Sequence, residues 1–271
     1  MSLDSQCSTC TSIAMYAYHA VFVLQLFFCF TEATGSSIVG GKVSEPHSKA
    51  YMASLQVNGF HRCGGVLIRK DFVLTAAHCK YEKMTVILGA HNISQREKSQ
   101  QRIEVAKFHP HPRYNDKNFS NDIMLLKLQH NAQLNKYVKV LELPKKKKKN
   151  LPANTICTIA GWGQTVSGSR MGLMSDVLKE TTEKTQFNFE CKHIWKDYFQ
   201  TEVMICTKHD QKGGCCWGDS GGPLICKKKL EGIVAYADPQ NCSNPRYPHV
   251  FTKVHSFLPW IEKVMQGKTT A

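Results

Sequence analysis

The sequence predicts an all-β protein, a barrel or a sandwich, closed near its C-terminal end by one helix. Three observations carry that prediction. Short apolar runs bounded by turn residues recur at 51–57, 66–74, 85–88, 102–108, 123–128, 155–160, 223–226, 232–236 and 249–254, the spacing expected of antiparallel strands. Only 255–266 shows helical spacing, with Phe257, Trp260, Ile261, Val264 and Met265 recurring as an apolar stripe and Pro259 in a first-turn position that a helix tolerates. Between about 132 and 153 the pattern lapses into Lys, Asn and Pro, including five consecutive lysines at 145–149. That stretch is the candidate linker between two halves, and no internal repeat is evident.

The 271 residues are 42% hydrophobic and 21% charged, which excludes a mainly disordered or collagen-like chain. The net charge is +14, and because residues 1–37 hold Asp4 and Glu32 but no lysine or arginine, the remainder carries +16. A field of that sign attracts sulfated glycans, acidic membranes or nucleic acid, but no motif for specific nucleic-acid recognition accompanies it.

Ahead of the first strand, residues 20–30 are apolar except for Gln25 and are followed by Ala33-x-Gly35. A segment of eleven residues is too short to span a bilayer. With a small-x-small end they read as a secretory signal cleaved after Gly35, although the positive n-region is missing. Met15 gives a signal of more ordinary length, so residues 1–14 are a candidate N-terminal extension. The competing reading is a buried N-terminal helix.

Twelve cysteines fit export. Cys7, Cys10 and Cys29 lie in the leader, and nine remain in the body, an odd number that implies four disulfides and one leftover thiol in an oxidising compartment. The body lacks paired CxxC knuckles, so neither a metal nor any other cofactor is expected. Sequons at Asn92, Asn118 and Asn241 fit a secreted glycoprotein.

The strongest chemical signal is Gly218-Asp219-Ser220-Gly221-Gly222-Pro223. A serine among glycines exposes its hydroxyl on a turn where backbone N–H groups can point at a developing oxyanion. Serine is a poor nucleophile until a base takes its proton. A base is available in Leu74-Thr75-Ala76-Ala77-His78-Cys79, and a group to orient it in Asn121-Asp122-Ile123. The chain order His78, Asp122, Ser220 is one in which acyl-transfer triads occur. Taken singly, such a histidine reads as structural and such an aspartate as a strand-end cap.

These segments, together with Ile38-Val39-Gly40-Gly41, Gly161-Trp162-Gly163 and Phe251-Thr252-Lys253-Val254, resemble the trypsin/chymotrypsin-like serine endopeptidases from residue 38 to about 266. Within that family, the segments at 46–56, 71–74 and 109–112 are similar to the granule-stored granzymes, mast-cell proteases and neutrophil elastase relatives. The resemblance implies two six-stranded antiparallel β-barrels and a C-terminal helix: barrel one about 38–135, linker about 132–153, barrel two about 153–254, helix about 255–266. The peptidase domain is then 38–271, behind a signal at 1–35 and an activation dipeptide at 36–37.

The resemblance also implies roles. His78 is base then acid, Asp122 orients it, Ser220 attacks protein or peptide substrates, and the N–H groups of Gly218 and Ser220 form the oxyanion hole. The disulfides are Cys63–Cys79, Cys157–Cys226, Cys191–Cys206 and Cys216–Cys242, with Cys215 free. Activation frees the Ile38 ammonium to pair with Asp219. Ser37 precedes the cut, which points to a dipeptidyl peptidase rather than a tryptic activator.

The substrate pocket maps to Gly214, Trp217, Ala235, Tyr236, Ala237 and His249. Gly214 stands where trypsin-like enzymes carry Asp, so Lys and Arg are not expected as P1, the residue before the scissile bond. Small or medium aliphatic residues are expected instead, or acidic ones received by a protonated His249. Ala235 replaces a serine that hydrogen-bonds the catalytic aspartate in relatives, and Trp217 is either a substrate wall or surface packing. The expected product is a secreted or granule-stored endopeptidase that binds sulfated glycans or proteoglycan through 145–149 and has no membrane span. The competing function is a catalytically weak, basic glycan-binding protein on a serine-protease scaffold.

Overall fold

A computed structural model describes residues 38–145, 151–168, 172–209 and 213–268. The signal at 1–35, the dipeptide at 36–37 and the lysines at 146–149 lie outside the described residues. Strands β1 (Lys42–Val43), β2 (Met52–Val57), β3 (Phe60–Arg69), β4 (Phe72–Thr75), β5 (Thr85–Leu88), β6 (Gln101–Pro110) and β7 (Met124–Leu128) form the first half. The run at 66–74 is therefore a hairpin and not one strand: polar Arg69, Lys70 and Asp71 break it. The second half holds β8 (Ile156–Gly161), β9 (Lys179–Thr185), β10 (Met204–Lys208), β11 (Pro223–Cys226), β12 (Lys229–Tyr236) and β13 (His249–Lys253).

Both halves are closed antiparallel barrels of six strands. The first runs β2-β3-β4-β7-β6-β5 and closes through β5 on β2. The second runs β9-β10-β13-β12-β11-β8 and closes through β8 on β9. Between them, described residues 132–145 and 151–153 contain neither strand nor helix.

The two ends of this region cross over. β1, expected in the first barrel, pairs with β9 of the second. At the other end, helix α2 (Leu258–Met265), preceded by a 3-10 turn at Val254–Phe257, buries Leu258, Ile261 and Val264. They join a core containing Leu67, Phe72, Leu74 and Leu126 of the first barrel. Its last turn is anchored from β3, where Arg69 donates a hydrogen bond to the Met265 carbonyl at 2.8 Å, satisfying one of the free carbonyls of a helix end.

Besides the two-residue β1, two strands and one helix escaped the sequence reading. β9 reads Lys-Glu-Thr-Thr-Glu-Lys-Thr, and its inward residues Lys179, Glu183 and Thr185 are polar, so no apolar alternation betrays it. β10 offers only four buried residues in a row. Helix α1 (Asn188–Trp195) buries only Cys191 and so has no apolar stripe; the Cys191–Cys206 bridge holds it instead.

Because Ile261 is fully buried between α2 and the first barrel, Ile261→Ala should destabilise by about 2–4 kcal/mol. In a chain of this size that lowers the thermal midpoint by roughly 5–15 °C. A midpoint unchanged in circular-dichroism melts would mean that the helix does not brace the barrel.

Candidate active site

β4 ends at Thr75, and the next residues turn through a 3-10 segment, Ala77–Cys79, that presents His78. The Cys63–Cys79 disulfide ties this turn to β3. Asp122 precedes β7 and is completely buried. Its Oδ1 accepts the His78 backbone N–H at 2.9 Å and its Oδ2 meets His78 Nδ1 at 2.6 Å. With Nδ1–H donating to the carboxylate, Nε2 is left with its lone pair, the state a general base requires.

Ser220 stands on the turn between Asp219 and β11. Its carbonyl accepts the Gly64 N–H at 2.8 Å, so the turn is bonded to the first barrel's β3. Gly221 has φ +77°, and a Cβ there would collide with the Thr75 hydroxyl; no other residue suits that combination of backbone and contact. On the opposite side, the Thr252 hydroxyl of β13 donates to the Asp122 carbonyl at 2.8 Å. His78 and Ser220 line one cavity of about 440 Å³.

The cavity walls are mostly apolar: Phe119, Trp195, Tyr198, Val234, Ala235, Tyr236 and Ala237, with Cys215 and Cys216 among the lining and Trp217 half exposed at 46%. Of the six expected pocket residues, Trp217, Ala235, Tyr236 and Ala237 line it, and Gly214 and His249 do not. His249 is fully buried, with Nε2 donating to the Cys242 carbonyl at 2.6 Å and Nδ1 to Glu183 at 2.7 Å. The Thr207 hydroxyl donates to the other Glu183 oxygen. A Cβ on Gly214 would collide with both His249 and Glu183, so the pair sits directly against that glycine.

Burial opposes a charge on His249, but contacts with Cys215 and Glu183 outweigh it and hold the ring well above the ordinary histidine range. Burial likewise opposes the Glu183 carboxylate, and His249, with help from Thr207 and His209, more than compensates, lowering it. The ring is thus a cation already paired inside the protein, because Glu183, invisible to the sequence reading, faces it. Neither ring nitrogen is free for a substrate carboxylate.

His61 also escaped the sequence reading, because no motif surrounds it. It is buried, accepts from the Ser54 hydroxyl at 2.8 Å and donates to the Gly218 carbonyl at 2.9 Å, fixing the backbone one residue before Asp219. Burial lowers its pKa to about 4, so it stays neutral near pH 7.

Asp219 is completely buried, its two oxygens accepting the N–H groups of Gly163 and Cys216, each at 2.9 Å. Ile38 is also buried. Bridges join Cys63–Cys79, Cys157–Cys226, Cys191–Cys206 and Cys216–Cys242, and Cys215 is a buried free thiol. No helix among the described residues is long and apolar enough to cross a membrane.

The family model described as Trypsin matches residues 38–261. Granzyme B of Rattus norvegicus is 46% identical over 252 residues, covering 91% of this chain and 98% of that protein. Cathepsin G of Homo sapiens is 40% identical over 250 residues, covering 91% and 94%. Among solved structures, neuropsin, a serine protease expressed in the limbic system of mouse brain, superposes with a TM-score of 0.76 at 35% identity, covering 83% of this chain and 98% of that one.

Burial pushes the Asp219 carboxyl from 3.8 up to about 7, the two N–H bonds only partly offsetting it. The folded chain therefore favours the protonated acid. Its contribution to stability is complete below about pH 4 and disappears as the pH rises towards 7. In the chain still carrying Ser36-Ser37, the thermal midpoint relative to that of Asp219→Asn should fall across this interval. A difference independent of pH would show that Asp219 is not the strained acid.

Proposed function

The chain belongs to the trypsin family of serine endopeptidases, whose substrates are proteins and peptides, and from that premise we propose the roles of its residues. His78 takes the proton of Ser220 as the hydroxyl attacks the scissile carbonyl, then passes it to the leaving amine. Asp122 holds the ring and stabilises its cation, and the N–H groups of Gly218 and Ser220 receive the oxyanion. The observation that carries this reading is the pair of bonds from one buried carboxylate to the backbone and ring of His78, beside the cavity that Ser220 shares. Water then hydrolyses the acyl-enzyme by the same route.

The P1 preference follows from the cavity. Its apolar lining and the internal pairing of His249 favour small or medium aliphatic side chains over acidic ones, and Gly214 offers no anion to Lys or Arg. Ala235 has no hydroxyl to give Asp122, which is expected to lower turnover without removing a member of the triad.

Residues 1–35 act as the signal, 36–37 as the activation dipeptide and 38–271 as the peptidase domain. Removal of Ser36-Ser37 by a dipeptidyl peptidase lets the Ile38 ammonium reach Asp219, giving the buried acid the partner it lacks. Val39 lies against Gly213, so this segment already runs beside the strand of chain leading to Asp219. Secretion into granules suits the likeness to granzyme B and cathepsin G, and the +16 body with its lysines at 145–149 suits storage on sulfated proteoglycan.

An active-site fluorophosphonate should label the protein that begins at Ile38 but not its Ser220→Ala variant, whose amidase activity should fall on the order of 10⁶-fold. Absence of labelling in the parent would instead favour a catalytically weak scaffold.

A peptide library varied at P1 should show kcat/KM for Leu, Val or Met exceeding that for Asp, Glu, Lys or Arg by about tenfold or more, since an unpaired charge is costly in an apolar cavity. A preference for acidic residues that disappears in His249→Ala would mean that the Glu183 pairing opens to substrate.

A further inference from the structure

Next to the substrate cavity, and touching it through Cys215, lies a group of side chains that peptide hydrolysis does not use. Glu183 on β9, Cys215 five residues before Ser220 and His249 at the start of β13 bring a carboxylate oxygen, a sulfur and a ring nitrogen within 4.8 Å of one another. All three are buried, and they come from three distant parts of the sequence. Cys215 is the only unpaired cysteine among the described residues. It also lines the substrate cavity.

We propose that Glu183, Cys215 and His249 form a site for a borderline-soft divalent cation, Zn²⁺ above all, adjoining the substrate cavity through Cys215. A thiolate, an imidazole and a carboxylate are the donors zinc takes, whereas calcium and magnesium require oxygen alone. Three protein ligands leave the fourth position for a water from the cavity.

The surroundings are those of a ligand set. The His249 Nε2–H donates to the Cys242 carbonyl at 2.6 Å, which leaves Nδ1 facing Glu183 at 2.7 Å. Ligating histidines are held in this way, by giving their other N–H to a carbonyl. The Thr207 hydroxyl holds the second Glu183 oxygen, and the His209 ring stacks on His249 with centroids 4.9 Å apart. The other cluster of this kind among the described residues, Cys63, His78 and Cys79, has both sulfurs committed to a disulfide.

Charge balance also holds. On binding, the S–H bond of Cys215 and the N–H bond at His249 Nδ1 break, bonds form from the metal to sulfur, nitrogen and a Glu183 oxygen, and two protons leave to solvent. One dication replaces two protons, so the buried cluster keeps its net charge.

Metal-free Ser220→Ala protein, purified from cells expressing the full chain, provides the test, because it cannot digest itself. Addition of Co²⁺ should produce a thiolate-to-metal charge-transfer band that saturates at one ion per chain and is displaced by Zn²⁺. Adding Cys215→Ser should abolish the band. Glu183→Gln, which keeps the thiol, should weaken Co²⁺ binding by about tenfold or more. No band in the Ser220→Ala protein, or a band that both replacements leave unchanged, overturns the proposal. The readout is spectroscopic, so its failure would leave the peptidase assignment untouched.

Discussion

The fold depends on a close approach between two barrels, made by backbone rather than by bulky side chains. The Gly64 N–H of the first barrel meets the Ser220 carbonyl, and the Gly221 Cα rests against Thr75. Thr252 returns the contact by bonding to Asp122. These contacts bring a nucleophile on one barrel to a base on the other. A single added methyl at Gly221 would force the surfaces apart, and catalytic geometry is sensitive to displacements of that size.

Three acids are buried around this seam, and each is compensated differently. Asp122 is held by the backbone and ring of His78, a pairing that also orients the base. Glu183 is met by His249 and Thr207. Asp219 has only two backbone N–H groups and remains a strained acid at about 7 in the uncut chain. Burial is expensive for all three; the difference is whether a side-chain partner faces the carboxylate. That contrast gives the first two a settled structure and makes the third suited to a switch.

The cavity shows how a pocket residue changes meaning with its neighbours. On sequence alone, His249 is a titratable ring able to receive a carboxylate. In the fold it is a cation already spoken for, backed against Gly214 and bonded at both nitrogens. The apolar character of the cavity comes from Val234, Ala235, Tyr236 and Ala237 at the end of β12 and just beyond, together with Phe119 and Trp195 from elsewhere in the chain.

By itself the sequence determined what depends on local pattern: the apolar strands, the C-terminal helix, the spacing of Gly218 to Pro223, and the segments carrying His78 and Asp122. Those signals are readable because a strand's alternation, a helix's stripe and a turn's glycines are set by neighbours a few residues away. The tertiary structure alone decided β9, whose inward Glu183 looks like a solvent residue until His249 and Thr207 surround it. It also decided α1, which a disulfide holds in place of an apolar face, and the grouping of Cys215 with Glu183 and His249 where no metal spacing exists in the chain. In each case the partner lies beyond the reach of local pattern, from 15 residues away for Cys191 and Cys206 to 66 for Glu183 and His249, and a buried polar group is stabilised only by the partner that folding brings to it.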